Sequence, residues 1–266
     1  MYHHGIVSEE SYQRASTACE YWNNHIGIRC NVNFTEKSQE CLDSEAICIE
    51  EIPRDVDIYN IDAEVCLDKS NIRHRYTSSW NPLSRLMMAK NDDDDEEEKK
   101  KKEKTTSRSN NGARFEPGYP AIDPCIEDYV AKLLNQKEVQ EAIHVRPTQW
   151  DAFGKIRYLT EYDDMTLVWP RFFRNPRSQH WRIVIFSGDF DACVPFEGTQ
   201  HWIRCLGRPV LSGWHPWRVN NQVAGNVIEY DKITFITIKG SGHMVPSVTP
   251  AKGFNFFQRL VDKIPW

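Results

Sequence analysis

The sequence predicts an α/β fold, on three observations. Ile183-Val184-Ile185-Phe186 is an apolar, largely β-branched run that breaks into the polar turn Ser187-Gly188-Asp189-Phe190-Asp191, as a buried strand does where it ends at a loop. The same pattern recurs downstream, where Ile233-Thr234-Phe235-Ile236-Thr237-Ile238 breaks at Lys239-Gly240-Ser241-Gly242 and delivers His243. Segments of helical periodicity lie between and around these runs.

Taken in order, residues 1–66 hold five of the eight cysteines: Cys19, Cys30, Cys41, Cys48 and Cys66. No C-x-x-C pair occurs, so disulfides are expected and no metal site is assigned. His3 and His4 are adjacent residues that read as solvated surface. Residues 90–114 set blocks of like charge before Ser, Thr, Asn and Gly. Such a stretch cannot bury apolar surface and reads as a disordered loop insertion. Pro124-Cys125 opens a helix in which Ile126, Val130, Leu133 and Leu134 share one face and Asn135 or Gln136 ends it. Val139, Ala142 and Ile143 mark a second short helix, and the following His144 reads as packing or surface. Beyond Asp191, residues 196–206 read as a helix carrying His201, Trp202 and Ile203. Cys193, on the turn before it, and Cys205, on the helix itself, are twelve apart and allow a local bridge. Trp214, Trp217 and Tyr230 read as strand-edge packing. The last helix, 250–261, places Ala251, Phe254, Phe257 and Leu260 at helical spacing, and these are expected to be core.

In an open α/β sheet, functional groups collect on the loops at the carboxyl ends of strands. Two neighbouring strands would thus present Asp191 and His243 side by side, as an orienting carboxylate and a general base, two thirds of a Ser-His-Asp triad. Gly240 and Gly242 allow the bend that aims the ring. Asp189 is expected to fix its turn by accepting backbone N–H bonds. A Cys193 nucleophile is disfavoured, because nearby Asp191 would raise the thiol pKa. The plain structural alternative is that Asp191 and His243 merely cap two strands.

SGDFDACVP, LGRPV, GWHPW, QVAG and IKGSGHMVP followed by a helix resemble the C-terminal half of a serine carboxypeptidase. HHGIVSEESY, DIYNIDAEVC and DPCIEDYVAKLLNQKEVQEAIHV resemble that family's middle section, in the family's order. The resemblance implies an α/β-hydrolase fold, here partial. A disulfide-rich lid or cap region would occupy 1–120, and the C-terminal part of the hydrolase core 121–266. It implies a serine-type peptidase removing C-terminal residues from peptides, with Asp191 as the triad acid and His243 as the base. Met244 would line the leaving-group pocket. It also implies the pairings Cys19–Cys41 and Cys66–Cys125, the second across the charged insertion. Cys30 and Cys48 remain for an extra bridge. The family's nucleophile sits in a G-x-S-x-G elbow, and no such pentapeptide occurs in this sequence. Gly240-Ser241-Gly242 is not one, since its Ser precedes the base and opens no helix. The stretch TQWDAFGKIRYL lacks the Cys that the family places soon after the helix pair.

A net charge of −5 and 12% aromatic content give no basic groove for nucleic acid and no basic membrane-binding face. No apolar run reaches membrane-spanning length. The first thirty residues show no basic n-region followed by an apolar h-region. Yet the cysteines and the sequon Asn33-Phe34-Thr35 suit an oxidising secretory compartment, and the resemblance implies the vacuole, lysosome or extracellular space. The expectation is a fragment that carries the acid and base without the nucleophile and is inactive alone. It would need no cofactor and would act on peptide or protein C-termini with the missing N-terminal half as a separate chain. The alternatives are a catalytically dead homologue that binds peptides or a partner, and a carboxypeptidase-like acyltransferase.

Overall fold

A computed structural model of the chain describes residues 4–19, 38–53, 55–66, 123–150 and 164–266. The charged insertion at 90–114, Cys30 and the sequon at Asn33 lie outside these residues, as do positions 151–159 of TQWDAFGKIRYL.

Two helices open the described chain, α1 (Glu9–Ala18) and α2 (Gln39–Glu50). Each starts at a serine, Ser8 or Ser38, whose hydroxyl accepts the N–H of the residue three positions on. That satisfies one of the donors a helix start leaves orphaned. Cys19 and Cys41 are disulfide-bonded at the ends of this pair. The two helices bury Val7, Ala15, Cys48 and Ile52 together with Ile58 and, from a segment distant in sequence, Ala192. Helices α3 (Ile126–Leu134) and α4 (Lys137–Ala142) follow, joined to the preceding segment by Cys66–Cys125. The apolar stripe of α3 is exposed at Ile126 and Leu133. Gln140 is buried, and its side chain ties α4 to Leu134 and Thr148 by three hydrogen bonds.

The second half is a four-stranded sheet with helices on both faces. Its strands are β1 (Val184–Gly188), β2 (Val210–Val219), β3 (Gln222–Tyr230) and β4 (Ile233–Ile238), in the spatial order β1-β4-β3-β2. Helix α5 (Asp164–Arg174) precedes β1, α6 (Phe196–Cys205) follows it, and α7 (Val245–Val248) and α8 (Pro250–Asp262) close the chain. β1 pairs parallel to β4, and β2, β3 and β4 are antiparallel. Val219 pairs with Gln222 across Asn220-Asn221, both in the left-handed region, the backbone a two-residue hairpin of this hand requires. β4 is apolar on both faces because both are covered. Ile236 and Ile238 join Trp217, Val227 and Phe256 of α8, while Ile233 and Phe235 join Ile203 of α6 and Tyr230. Gly225 is needed in β3, because a Cβ there would lie 1.8 Å from the Thr237 carbonyl oxygen.

Three expectations are corrected. The stripe of α8 read as core is largely solvent-facing, with Phe254 and Phe257 67% and 59% exposed. The helix is seated instead on Gly253 and Phe256, and Phe256 stacks on Trp266 and meets Phe186. Two apolar stripes shared this helix, and periodicity alone does not rank them. Trp217 and Tyr230 are not edge packing but core, Trp217 donating its indole N–H to the Thr237 carbonyl, whereas Trp214 stays nearly half exposed. Neither extra bridge forms. Cys48 and Cys193 are free thiols, and Cys205 is disulfide-bonded to a partner outside the described residues.

Candidate active site

Parallel pairing of β1 with β4 sets Gly188 opposite Ile238, so both strands end at the same level and their loops run side by side. Main-chain bonds lock the two loops together: Asp189 N–H donates to the Ile238 carbonyl at 3.2 Å, and Phe190 N–H to the Ser241 carbonyl at 2.9 Å. Gly188 permits this approach. A Cβ there would stand 2.2 Å from the Ser241 oxygen and 2.3 Å from the Gly242 oxygen. Asp189 also reaches across to the neighbouring loop. Its Oδ1 accepts the N–H of Gly240 at 2.6 Å and of Ser241 at 3.3 Å, so it shapes the neighbouring loop. Burial pushes the Asp189 carboxyl above the usual range, and those two N–H bonds act in the opposite sense.

Asp191 is buried, and its two oxygens have separate tasks. Oδ1 accepts the N–H groups of Cys193 and Val194, at 2.9 and 3.0 Å, which holds the carboxylate to the start of α6. Oδ2 lies 2.8 Å from Nδ1 of His243. An ionised carboxylate only accepts, so in the neutral imidazole this contact selects the tautomer with the proton on Nδ1 and the lone pair on Nε2. Among the described residues Nε2 has no hydrogen-bond partner, and the imidazole side chain is 43% exposed. A buried acid thus orients a half-exposed base whose free nitrogen can take a proton.

A third segment, remote in sequence, reaches the same place. Residues 58–61 cross both loops. Ile58 O accepts from Ala192 N–H (2.9 Å), Ile61 N–H donates to Phe190 O (3.1 Å), and Tyr59 O accepts from His243 N–H (2.7 Å). The Tyr59 ring meets the imidazole edge-on, with centroids 5.4 Å apart. Sequence reasoning assigned Tyr59 no role. Its signal was contained only in the stretch DIYNIDAEVC, which spacing does not connect to His243. Met244, beside the base, caps α7 and is 63% exposed. The half-buried Cys193 thiol is pushed up by burial and then by the Asp191 charge, against a hydrogen bond from Tyr59, so it stays a protonated, weak nucleophile. Ser241 is fully buried, with its hydroxyl turned to the Gly242 carbonyl, and is not placed to attack a substrate. Two clusters of two cysteines and an acid approach metal-ligand geometry, but their sulfurs are the Cys19–Cys41 and Cys66–Cys125 disulfides and not thiolates. No helix among the described residues is long and apolar enough to cross a membrane.

Comparisons with known proteins converge. The family model for serine carboxypeptidases matches residues 1–263. Serine carboxypeptidase 1 of Hordeum vulgare is 31% identical over 269 residues, 96% of this chain and 50% of the barley protein. Serine carboxypeptidase-like 21 of Arabidopsis thaliana is 39% identical over 143 residues, 52% of this chain and 28% of that one. Among solved structures, Kex1(Δ)p, a prohormone-processing carboxypeptidase from Saccharomyces cerevisiae, superposes with a TM-score of 0.53 at 12% identity, covering 98% of this chain and 50% of its own. That likeness shows an α/β-hydrolase fold. The chain spans about half the length of the relatives that it matches throughout. With a model match over nearly its whole length, the chain belongs to the serine carboxypeptidase family.

Proposed function

We propose that this chain supplies the acid and the base of a serine-carboxypeptidase triad that hydrolyses the C-terminal peptide bond of peptides. The observation that carries the reading is the 2.8 Å contact between His243 Nδ1 and a buried Asp191 whose other oxygen is already saturated. Nε2 of His243 would accept the proton of an attacking serine hydroxyl and return it to the leaving amine. Asp191 would hold the Nδ1–H tautomer and stabilise the imidazolium. Met244, exposed next to the base, would contact the leaving residue.

The nucleophile would come from a polypeptide segment bearing the G-x-S-x-G elbow, docked along the outer edge of β1. β1 ends the sheet, and among the described residues no strand pairs with its outer side. Phe186 on this strand, Val194 beyond it, and Phe254 and Phe257 on α8 are all exposed large apolar side chains. A bare strand edge and apolar surface of this kind call for a covering partner. In this reading residues 1–120 form the cap and 121–266 the C-terminal part of the core, and Asn33 is glycosylated in an oxidising secretory compartment. The isolated chain does not turn over substrate.

The test grafts this chain onto Hordeum vulgare serine carboxypeptidase 1 in place of the half it matches. The chimera should cleave a blocked dipeptide. Asp191→Asn should lower kcat by about 10⁴ and His243→Ala by about 10⁶, the losses found when a triad loses its tautomer or its base. A folded, active chimera indifferent to both substitutions overturns the reading. So does turnover by the chain alone that His243→Ala abolishes. Adding an acyl acceptor to the same assay separates a transferase, in which ester product replaces free acid.

A further inference from the structure

The end of the sheet opposite Asp191 and His243 carries a charge pattern that the proposed function does not use. β1 runs parallel to β4, and two antiparallel pairings carry the same direction to β2, so β1, β2 and β4 all start at one end. Asp191 and His243 lie beyond the other end, where β1 and β4 finish. Helix α8 also finishes at the starting end, where Arg182 donates to the carbonyls of Arg259, Leu260 and Ile264. Arg171 and Arg174 in the last turn of α5, Arg177 in the turn after it, Lys232 before β4 and Lys263 after α8 are all exposed. Among the described residues none of these five cations is paired with a carboxylate. Of the nearby acids, Asp231 is paired with Arg208, and Asp262 precedes Lys263. No Asp or Glu occurs between Asp164 and Asp189. The net charge of −5 conceals this face, because seven negative charges lie in the single run 92–98.

Large apolar side chains are exposed among these cations. Val168, Arg171 and Phe172 stand at i, i+3 and i+4 of α5 and therefore share a face of the helix. Val168 is 53% exposed, and Trp181, 59% exposed, lies against Phe172 with ring centroids 5.3 Å apart. Phe173 continues the row, with the Arg208 guanidinium 5.2 Å from its ring centre. Arg208 leads into β2, whose first residues, Val210 and Leu211, are also exposed.

We propose that this end of the sheet is a docking surface for an anionic lipid bilayer. The chemistry of the surface selects that occupant. A soluble polyanion would engage the arginines and leave Trp181, Val168 and Leu211 in water. An uncharged apolar partner would strip water from the cations without replacing it. An anionic bilayer presents phosphates and carboxylates to the guanidinium forks, with an apolar layer just beneath that the indole enters. Docking here points the loops of Asp191 and His243 away from the membrane and leaves the outer edge of β1 uncovered. The inference does not rest on the catalytic reading.

The test uses the full chain and needs no substrate. The chain is sedimented with vesicles of phosphatidylcholine containing about one third phosphatidylserine, and with vesicles of phosphatidylcholine alone. It should partition onto the anionic vesicles only, and added salt should release it. A cation near such a surface contributes about fivefold to partitioning, so Arg171→Gln, Arg174→Gln and Arg177→Gln together should weaken binding by about 10². Trp181→Ala should weaken it by about tenfold and Leu211→Gln by about fivefold, through lost apolar burial. Phe254→Ala combined with Phe257→Ala, on the exposed face of α8, should leave binding within about twofold. Circular dichroism checks each fold, and if Trp181→Ala does not fold, Leu211→Gln and the arginine triple decide. Absence of binding at low salt, or equal binding to neutral vesicles, overturns the proposal. So does binding that the α8 pair abolishes and the arginine triple spares, since adhesion then runs through α8. Binding that needs the arginines, ignores Trp181→Ala and Leu211→Gln, and is matched on soluble heparin assigns the surface to a soluble polyanion and overturns the bilayer.

Discussion

Gly188→Ala tests whether the two loops are held by direct contact. Gly188 ends β1, and an added Cβ would meet the Ser241 oxygen at 2.2 Å, the Gly242 oxygen at 2.3 Å and the Ser241 carbonyl carbon at 2.7 Å. All three are backbone atoms, so no rotamer change relieves the clash and one loop must move by about an ångström. Overpacking of this kind costs about 1–3 kcal/mol. The displacement also strains the Phe190 N–H to Ser241 O bond at 2.9 Å and the Gly240 N–H to Asp189 bond at 2.6 Å, each worth about 1 kcal/mol. The total is about 3–5 kcal/mol, a large part of the 5–15 kcal/mol that a domain has in reserve. Urea unfolding followed by tryptophan fluorescence and circular dichroism should show a matching fall in midpoint at unchanged slope. Gly198→Ala is the internal control. It lies in α6 with nothing within 4 Å of the added Cβ, and should be neutral or stabilising by about 0.5 kcal/mol. A Gly188→Ala chain within about 1 kcal/mol of that control would refute the contact argument.

Four further outcomes are expected. Phe256→Ala should cost about 3–5 kcal/mol in the same unfolding assay, because Phe256 is 7% exposed among Phe186, Trp266 and the sheet. Phe257→Ala, 59% exposed one residue away, should stay within about 0.5 kcal/mol in the isolated chain. Replacing Cys66 and Cys125 by serine opens a loop with a separation of 59 residues, and chain entropy sets the expected loss at about 4 kcal/mol, read from the urea midpoint under non-reducing conditions. Glu51 accepts Ser11 Oγ at 2.5 Å and both N–H and Oγ of Ser8, and these bonds hold its carboxyl below the usual glutamate range. A folded-state pKa below the unfolded one means that the unfolded chain binds more protons, so this stabilisation is present above the unfolded pKa and lost as pH falls through the folded one. Glu51→Gln should therefore flatten the acid limb of a thermal-stability profile below about pH 5. An acid limb identical to wild type would show that the Ser8–Glu51 contact carries no weight.

The sequence by itself determined the fold class and the family. Runs of β-branched residues ending at Gly, and helical stripes between them, are local signals, and the strand at 233–238 and the helices near 126, 196 and 250 appear within a residue or two of where those signals end. Asp191 and His243 were likewise legible as polar residues just past two apolar runs. Whether they touch was not, since that depends on β1 and β4 being parallel neighbours in register, a non-local fact that brings residues 52 positions apart to 2.8 Å. The tertiary structure also chose between the two apolar stripes of α8, burying Phe256 and leaving Phe254 and Phe257 outside, because a helix seats on one face and periodicity is blind to which. It decided the thiols too: Cys193 and Cys205 are close in sequence, yet Cys193 stays free while Cys205 is disulfide-bonded elsewhere. Above all it brought Tyr59 to the base, through a segment 184 positions from His243 that is held by its own buried anchor at Ile58. Local propensity writes elements into the chain. Contacts between elements are written by the packing that follows, where backbone bonds and excluded volume decide which side chains meet.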